Sequence, residues 1–132
     1  MNIALLAHDR KKELMVQLSI AYCGILAAHS VCATKTTGKL VADATGLPVQ
    51  LFLSCKQGGC QQIGARIAYN ELDLVIFLAD PANLTTDKDV SYMRKLCDLY
   101  NVPFATNIAT AEVLLRGLKD GYLDWRNIVN HS

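Results

Sequence analysis

Five short apolar runs in this 132-residue chain are each followed by small, polar or ionisable side chains. After the first come His8 and Asp9 with Lys12. After the second comes Thr34-Lys35-Thr36-Thr37-Gly38, and after the third Ser54-Cys55-Lys56-Gln57-Gly58-Gly59-Cys60. Asp80-Pro81 and Thr106-Asn107 follow the last two. The hydroxyls of Thr34, Thr36, Thr37 and Ser54 and the cation of Lys12 are donors that an anion such as phosphate takes. A helix opening on the threonine turn would add free backbone N–H groups and a favourable dipole. His8, Asp9 and Asp80 are groups that can move or hold protons. Each also has a plainer use. Threonines at a helix start and Asp9 after a strand are caps, Gly58-Gly59 is a flexible turn, and His8 is a satisfied, partly buried imidazole. Convergence of all of them on one sheet edge favours the chemical reading.

That convergence depends on the elements that carry these residues. Asn2 to Ala7 (NIALLA) reads as a fully buried parallel strand, with Asp9 capping a helix from about Arg10 to Ala28. Ser30 to Ala33 reads as a second strand, Gly38 to Thr45 as a helix closed by Gly46 and Pro48, and Gln50 to Leu53 as a third strand. A helix over Gln61 to Asn70, a strand over Leu72 to Leu78 and a helix over Asp87 to Tyr100, capped by Asp87, come next. A strand over Val102 to Thr106, with Pro103 near its start, and a helix over Thr110 to Leu118 precede a short tail. Five strands alternating with helices predict a single domain over 1–132. It is a three-layer α/β/α fold of Rossmann-like type, with a five-stranded, mostly parallel sheet, and ligands belong outside the carboxyl ends of its strands.

Composition narrows the function classes. Hydrophobic residues make up 52% and charged residues 19%, which excludes disorder. With 13 basic and 12 acidic residues the net charge is +1, and no basic stripe interleaves with aromatics, so nucleic-acid binding has no support. The longest uncharged run, Leu14 to Thr34, is broken by Gln17, Ser19, Tyr22, Gly24, His29 and Ser30, and reads as a buried helix and strand rather than a membrane span. The apolar start lacks the basic flank of a secretory signal. The cysteines, Cys23, Cys32, Cys55, Cys60 and Cys97, are odd in number and lie in apolar segments, which predicts reduced thiols in a cytoplasmic protein. Cys55 and Cys60 enclose four residues, not the Cys-x-x-Cys spacing of common zinc and redox sites. They read as unrelated small residues, with a redox pair or metal site as the alternative.

Several blocks in order along nearly the whole chain carry a resemblance. They are Ile3-Ala4-Leu5-Leu6-Ala7-His8-Asp9 with Lys12, Ala33-Thr34-Lys35-Thr36-Thr37-Gly38, and Ala44-Thr45-Gly46. Next come Gly58-Gly59-Cys60-Gln61-Gln62-Ile63-Gly64-Ala65, then Asp73-Leu74-Val75-Ile76-Phe77 with Asp80-Pro81. Pro103-Phe104-Ala105-Thr106-Asn107 with Thr110-Ala111-Glu112 closes the series. Together they resemble the methylglyoxal synthase family. The resemblance implies conversion of dihydroxyacetone phosphate to methylglyoxal and inorganic phosphate, no metal or organic cofactor, and a homohexamer. By position it implies Lys12, Thr34, Thr36, Thr37 and Ser54 as phosphate contacts, and His8, Asp9, Asp80 and Asp89 as active-site polar groups.

The chain departs from the family pattern at its reactive positions. Where the family loop carries an Asp base, this chain has Cys60, a thiol mostly protonated near neutrality. Lys35 replaces the small second residue of the phosphate turn, adding bulk and charge beside the anion, and Cys55 replaces a glycine beside the phosphate. Thr86 aligns with an electrophilic His and cannot shuttle a proton as imidazole does. Two readings follow: a phosphate lyase in which Asp9, Asp80, Asp89 or a Cys60 thiolate is the base, and a catalytically silent module that binds a small phosphorylated metabolite.

Overall fold

The structure is a computed structural model that describes residues 1–83 and 87–131. Strand β1 (Asn2–Ala7) alternates its apolar side chains between two core layers, Ile3 and Leu5 on one face and Ala4 and Leu6 on the other. A 3-10 turn over Asp9–Lys11 leads into α1 (Lys12–Ala21) and α2 (Cys23–Leu26). The single helix expected over Arg10 to Ala28 is therefore interrupted. Tyr22 leaves helical geometry at φ −109°, ψ 22°, and its carbonyl accepts from both Ile25 and Leu26, which starts a new turn.

Strand β2 (Ser30–Thr34) feeds α3 (Lys35–Thr45), which ends where Gly46 takes φ 74°, a left-handed conformation suited to glycine. Helix α3 starts earlier than its apolar pattern suggests, so the threonine turn is its first turn. Strand β3 (Val49–Phe52) is followed by a 3-10 turn over Cys55–Gln57, then α4 (Gly59–Ala68) and the fully buried β4 (Leu74–Leu78). Asp87 caps α5 (Lys88–Tyr100), as expected, by accepting from the Asp89 and Val90 amides. Strand β5 shrinks to Phe104–Ala105, because Val102 still bonds the end of α5 and Pro103 has no N–H to give. Asn107 caps α6 (Ile108–Lys119), and the expected tail forms a further helix, α7 (Trp125–His131).

All the strands are parallel, in the order β3-β2-β1-β4-β5, as the α/β reading predicted. Met15, Leu18, Val41, Leu115 and Leu118 from α1, α3 and α6 cover one face, and Ile63, Ile67, Val90 and Met93 from α4 and α5 cover the other. The chain reverses its direction of travel across the sheet between β1 and β4, and a crevice forms at the carboxyl end of such a switch. Away from it, α7 is anchored by Arg126, which is fully buried. Its Nε donates to Asp73 at 3.3 Å, and its guanidinium also meets the carbonyls of Leu72 and Asn101. Among the described residues no helix is long and apolar enough to cross a membrane.

Candidate functional site

A cleft of about 550 Å³ opens at the carboxyl edge of the sheet. Its wall includes His8 from the end of β1, Thr34 and Thr36 from the start of α3, Ser54 and Cys55 beyond β3, Asp80 beyond β4, and Asp89 in the first turn of α5. Asp9 and Lys12 close one side. A larger cleft, about 670 Å³, lies beside the amino ends of the strands and is lined by Tyr22, Ile25, His29, Arg116 and Lys119. It offers one phenol, Tyr22, and one carboxylate, Asp120, whereas the smaller one gathers Thr34, Thr36, Ser54 and several carboxylates around His8.

His8 sits at the switch point in a defined tautomer. The Asp80 amide donates to its Nδ1 at 2.7 Å, so Nδ1 is an acceptor and Nε2 carries the proton that meets the Asp87 carboxylate. Asp87 uses its other oxygen to accept from the Asp89 and Val90 amides at 2.7 and 3.2 Å. Asp80 is buried and accepts from the Ala82 amide, with Arg10 Nε 3.9 Å away. Lys12 donates to Asp9 and lines the cleft with its side chain mostly covered. That hydrogen bond and charge hold the Asp9 carboxyl below its ordinary range. Asp9 is thus occupied by Lys12 and caps nothing, which corrects the capping expectation. Asp89 behaves oppositely: burial first, and then the neighbouring Asp87, push its carboxyl up.

The amino end of α3 faces this cleft through Thr34 and Thr36, which is the arrangement that favours an anion. Lys35 and Thr37, both expected beside the anion, do not line it. Lys35 is exposed, and Thr37 is buried with a hydroxyl that has no partner. Thr86 lies outside the described residues.

The third loop corrects the cysteine reading. Cys55 and Cys60 form a disulfide with Cα atoms 4.6 Å apart, so neither is the reduced thiol expected, and Cys60 has no thiolate to offer as a base. The loop closes because Gly58 adopts φ 102° and Gly59 packs against backbone, where a Cβ would come 1.7 Å from the Leu53 carbonyl oxygen. Gly58-Gly59 is therefore a shaped turn. Cys60 is fully buried beneath the cleft wall that Cys55 forms. Both sulfurs and an Asp89 carboxylate oxygen lie within 4.8 Å of one another, but bonded sulfurs are not thiolate metal ligands. Cys32 and Cys97 are free and buried in the core, which pushes their thiols up to about 11 and about 12.

Sequence reasoning missed Asp87 as a site residue, and Arg10, Lys56 and Asn83 as cleft residues. The only signal for Asp87 was its place before a helix, which reads as a cap.

Fold and cleft together define a parallel α/β protein whose sheet edge sets hydroxyls and a helix amino end beside carboxylates and an imidazole. The model of the MGS-like domain matches residues 15–106. The methylglyoxal synthase of Caldicellulosiruptor saccharolyticus is 57% identical over 131 residues, covering 98% of this chain and 93% of that protein. That of Lysinibacillus sphaericus is 56% identical over 129 residues, covering 97% and 96%. The crystal structure of methylglyoxal synthase from Elizabethkingia anophelis NUHP1 superposes with a TM-score of 0.81 at 41% identity, covering 86% of this chain and 76% of that one. This chain belongs to the methylglyoxal synthase family.

Proposed function

We propose that the cleft takes dihydroxyacetone phosphate and that the chain, acting as one domain over 1–132, eliminates phosphate from it to give methylglyoxal, with Asp89 as the base. The observation that carries this is the position of Asp89. Its raised carboxyl lies within 4.8 Å of the sulfur of Cys60, the residue that stands where the family resemblance puts the base. A carboxylate pushed upward is a stronger proton acceptor and works closer to neutral pH. Asp9, by contrast, is exposed and held low by Lys12, and Asp87 is committed to His8 and the α5 cap.

The base takes a proton from the hydroxymethyl carbon, and the electron pair moves to the carbonyl oxygen, giving an enediolate. That oxygen needs a donor, a role this reading gives to His8, whose Nε2–H meets Asp87 in this structure, and to Lys12. The hydroxyl on the deprotonated carbon then loses its proton, its electrons close the aldehyde carbonyl, and the double bond shifts as the carbon–oxygen bond to phosphate breaks, phosphate leaving with the bonding pair. The resulting enolate takes a proton on its methylene carbon to become methylglyoxal. Lys12, Thr34, Thr36 and Ser54, with the amino end of α3, are the groups for the departing phosphate. No metal or organic cofactor enters this scheme. The family resemblance further suggests a homohexamer, checked by light scattering, and the cytoplasmic location expected from reduced thiols rests on Cys23, Cys32 and Cys97.

A second reading has its own support. The disulfide at Cys60 leaves no titratable group at the family's base position, which suits a silent module binding a phosphorylated metabolite. One experiment separates the two: incubation with dihydroxyacetone phosphate, with methylglyoxal and phosphate release followed and the melting temperature recorded in the same samples. Turnover that falls about 10²–10⁴-fold in Asp89→Asn carries the lyase reading. Thermal stabilisation without turnover carries the binding module, and neither response would sink both.

A further inference from the structure

We propose that Cys55 and Cys60 are a reversible thiol–disulfide couple in the wall of the cleft, reduced by a dithiol and linked to the anion that the cleft holds. The linkage rests on the phosphate reading given above; the couple itself does not.

The geometry separates this pair from every other cysteine in the chain. Cys32 and Cys97 are sealed in the core, and Cys23 lies on α2. Only Cys55 lines the cleft, while its bonded partner Cys60 is fully buried beneath it. An incoming thiolate therefore reaches the sulfur of Cys55 and not that of Cys60.

The step balances as ordinary exchange. One thiol of the dithiol loses its proton, its sulfur bonds Cys55 Sγ, and the Cys55–Cys60 bond breaks with Cys60 leaving as thiolate. The second thiol of the reductant then attacks the mixed disulfide and releases Cys55. Two electrons and two protons pass from the dithiol to the pair, and the reductant ends as a disulfide. Asp89, within 4.8 Å of both sulfurs, is placed to take up a proton released by the dithiol and relay it to the Cys60 thiolate.

The loop is built for reclosure rather than as a structural staple. Only four residues separate the two cysteines, so the bond constrains the unfolded chain less than a long-range bridge would. Three backbone hydrogen bonds keep the loop folded without the sulfur bridge: Gln57 N to Ser54 O at 2.9 Å, Gly58 N to Cys55 O at 3.2 Å and Gly59 N to Ser54 O at 2.8 Å. The thiols of the reduced form therefore remain neighbours.

Coupling follows from adjacency. Ser54 and Cys55 are consecutive and both form the cleft wall. An anion seated on Ser54 screens the route to Cys55 and so slows exchange, while two thiols in place of one sulfur–sulfur bond change the packing of the wall beside Ser54 and with it the affinity for the anion. Reciprocity then requires that redox state alter anion affinity and that anion alter the redox balance by the same factor.

The test equilibrates the full chain across reduced and oxidised dithiothreitol ratios, quenches in acid, and counts thiols by mass-tagging the unfolded protein. Inorganic phosphate affinity is measured by calorimetry on each form. The expected result is a shift from three free thiols, those of Cys23, Cys32 and Cys97, to five at one midpoint. Phosphate should move that midpoint, and its affinity should differ by about fivefold or more between the forms. Cys55→Ser and Cys60→Ser should abolish both responses. Five thiols at every ratio, or three until the protein unfolds, would overturn the couple. Equal phosphate affinity in the two forms would overturn the linkage and leave the lyase reading intact. Coupled binding without turnover of dihydroxyacetone phosphate would leave this inference standing and remove the lyase.

Discussion

The carboxylate of Asp87 accepts the Nε2 proton of His8 with one oxygen and caps α5 with the other, joining residues 79 apart in the chain. The link ties the end of β1 to the start of α5 across the mouth of the cleft. Substitution should separate its two duties. Asp87→Ala loses both, and the cap alone is worth about 0.5–2 kcal/mol. Asp87→Asn keeps an acceptor for the α5 amides but removes the charge facing His8. Urea unfolding should show the larger loss in Asp87→Ala, while both variants lose turnover. Equal stability losses would mean that the cap contributes nothing.

Arg126 and Asp73 form a buried ion pair that pins α7 beneath β4, and Asp73 also accepts from the Asn2 amide at 2.9 Å. Removing one partner leaves the other charged, buried and unpaired. Arg126→Met should therefore destabilise the fold by about 3–5 kcal/mol. Asp73→Asn together with Arg126→Met should cost less than Arg126→Met alone, because no isolated charge remains. A double-mutant cycle with no coupling between the sites would refute this account.

The pH response of Asp89 has a definite sign. Burial and Asp87 raise its carboxyl in the folded state above the ordinary value of 3.8. Its contribution to stability is then complete below that value and is lost as pH rises through the raised folded value. Asp89→Asn removes this loss. The variant should be more stable than the parent near neutrality, and the difference should shrink as pH falls toward 3.8. Turnover should fall in the same variant. Thermal melts across pH measure the first effect, and a constant offset at every pH would contradict it.

Legibility in the sequence followed the range of the interaction. The strands were readable because a parallel strand covered on both faces must be apolar throughout, as Leu74–Leu78 is. The Asp87 and Asn107 positions offered local cap chemistry, though only Asp87 was read that way. The contact of Asp87 with His8 was invisible because it depends on how β1 and α5 meet. Asp9 had two local options, and Lys12 one helical turn away outcompeted the helix amides. The break at Tyr22 left no trace in the apolar pattern on either side. Cys55 and Cys60 looked unrelated by spacing, and their meeting depends on the left-handed Gly58 and the close backbone approach at Gly59.

That close approach gives a fourth expectation. A Cβ at Gly59 would lie 1.7 Å from the Leu53 carbonyl oxygen, a backbone atom that cannot rotate aside. Gly59→Ala should cost about 1–3 kcal/mol or more and disturb the Ser54–Cys55 wall, with weaker phosphate binding as the readout. Gly24, in α2, has nothing within 4 Å of an added Cβ. Gly24→Ala should leave phosphate binding unchanged and stabilise the helix by about 0.5–1 kcal/mol. Similar losses in both variants would show that the loop has slack that its geometry does not suggest.

Cys60→Asp tests how far the chemistry was given up at one position. The substitution breaks the disulfide and puts a carboxylate into a fully buried position within reach of Asp89. Burial and a like charge nearby both raise such a carboxyl, which costs stability but moves a base toward neutral pH. With Asp89 already serving as the base, turnover of dihydroxyacetone phosphate should change little; a rise of about 10²–10⁴-fold over the parent, the usual contribution of a positioned base, would mean that the parent has none. Cys60→Ser is the companion variant, since it also opens the disulfide but adds no carboxylate. A rise confined to Cys60→Asp assigns the gain to the new base. An equal rise in both assigns it to opening of the Cys55–Cys60 bridge, with Asp89 as the base in each. No rise in either, with the parent turning over substrate, keeps Asp89 as the base, and no turnover in any of the three makes the silent binding module the better account of the fold.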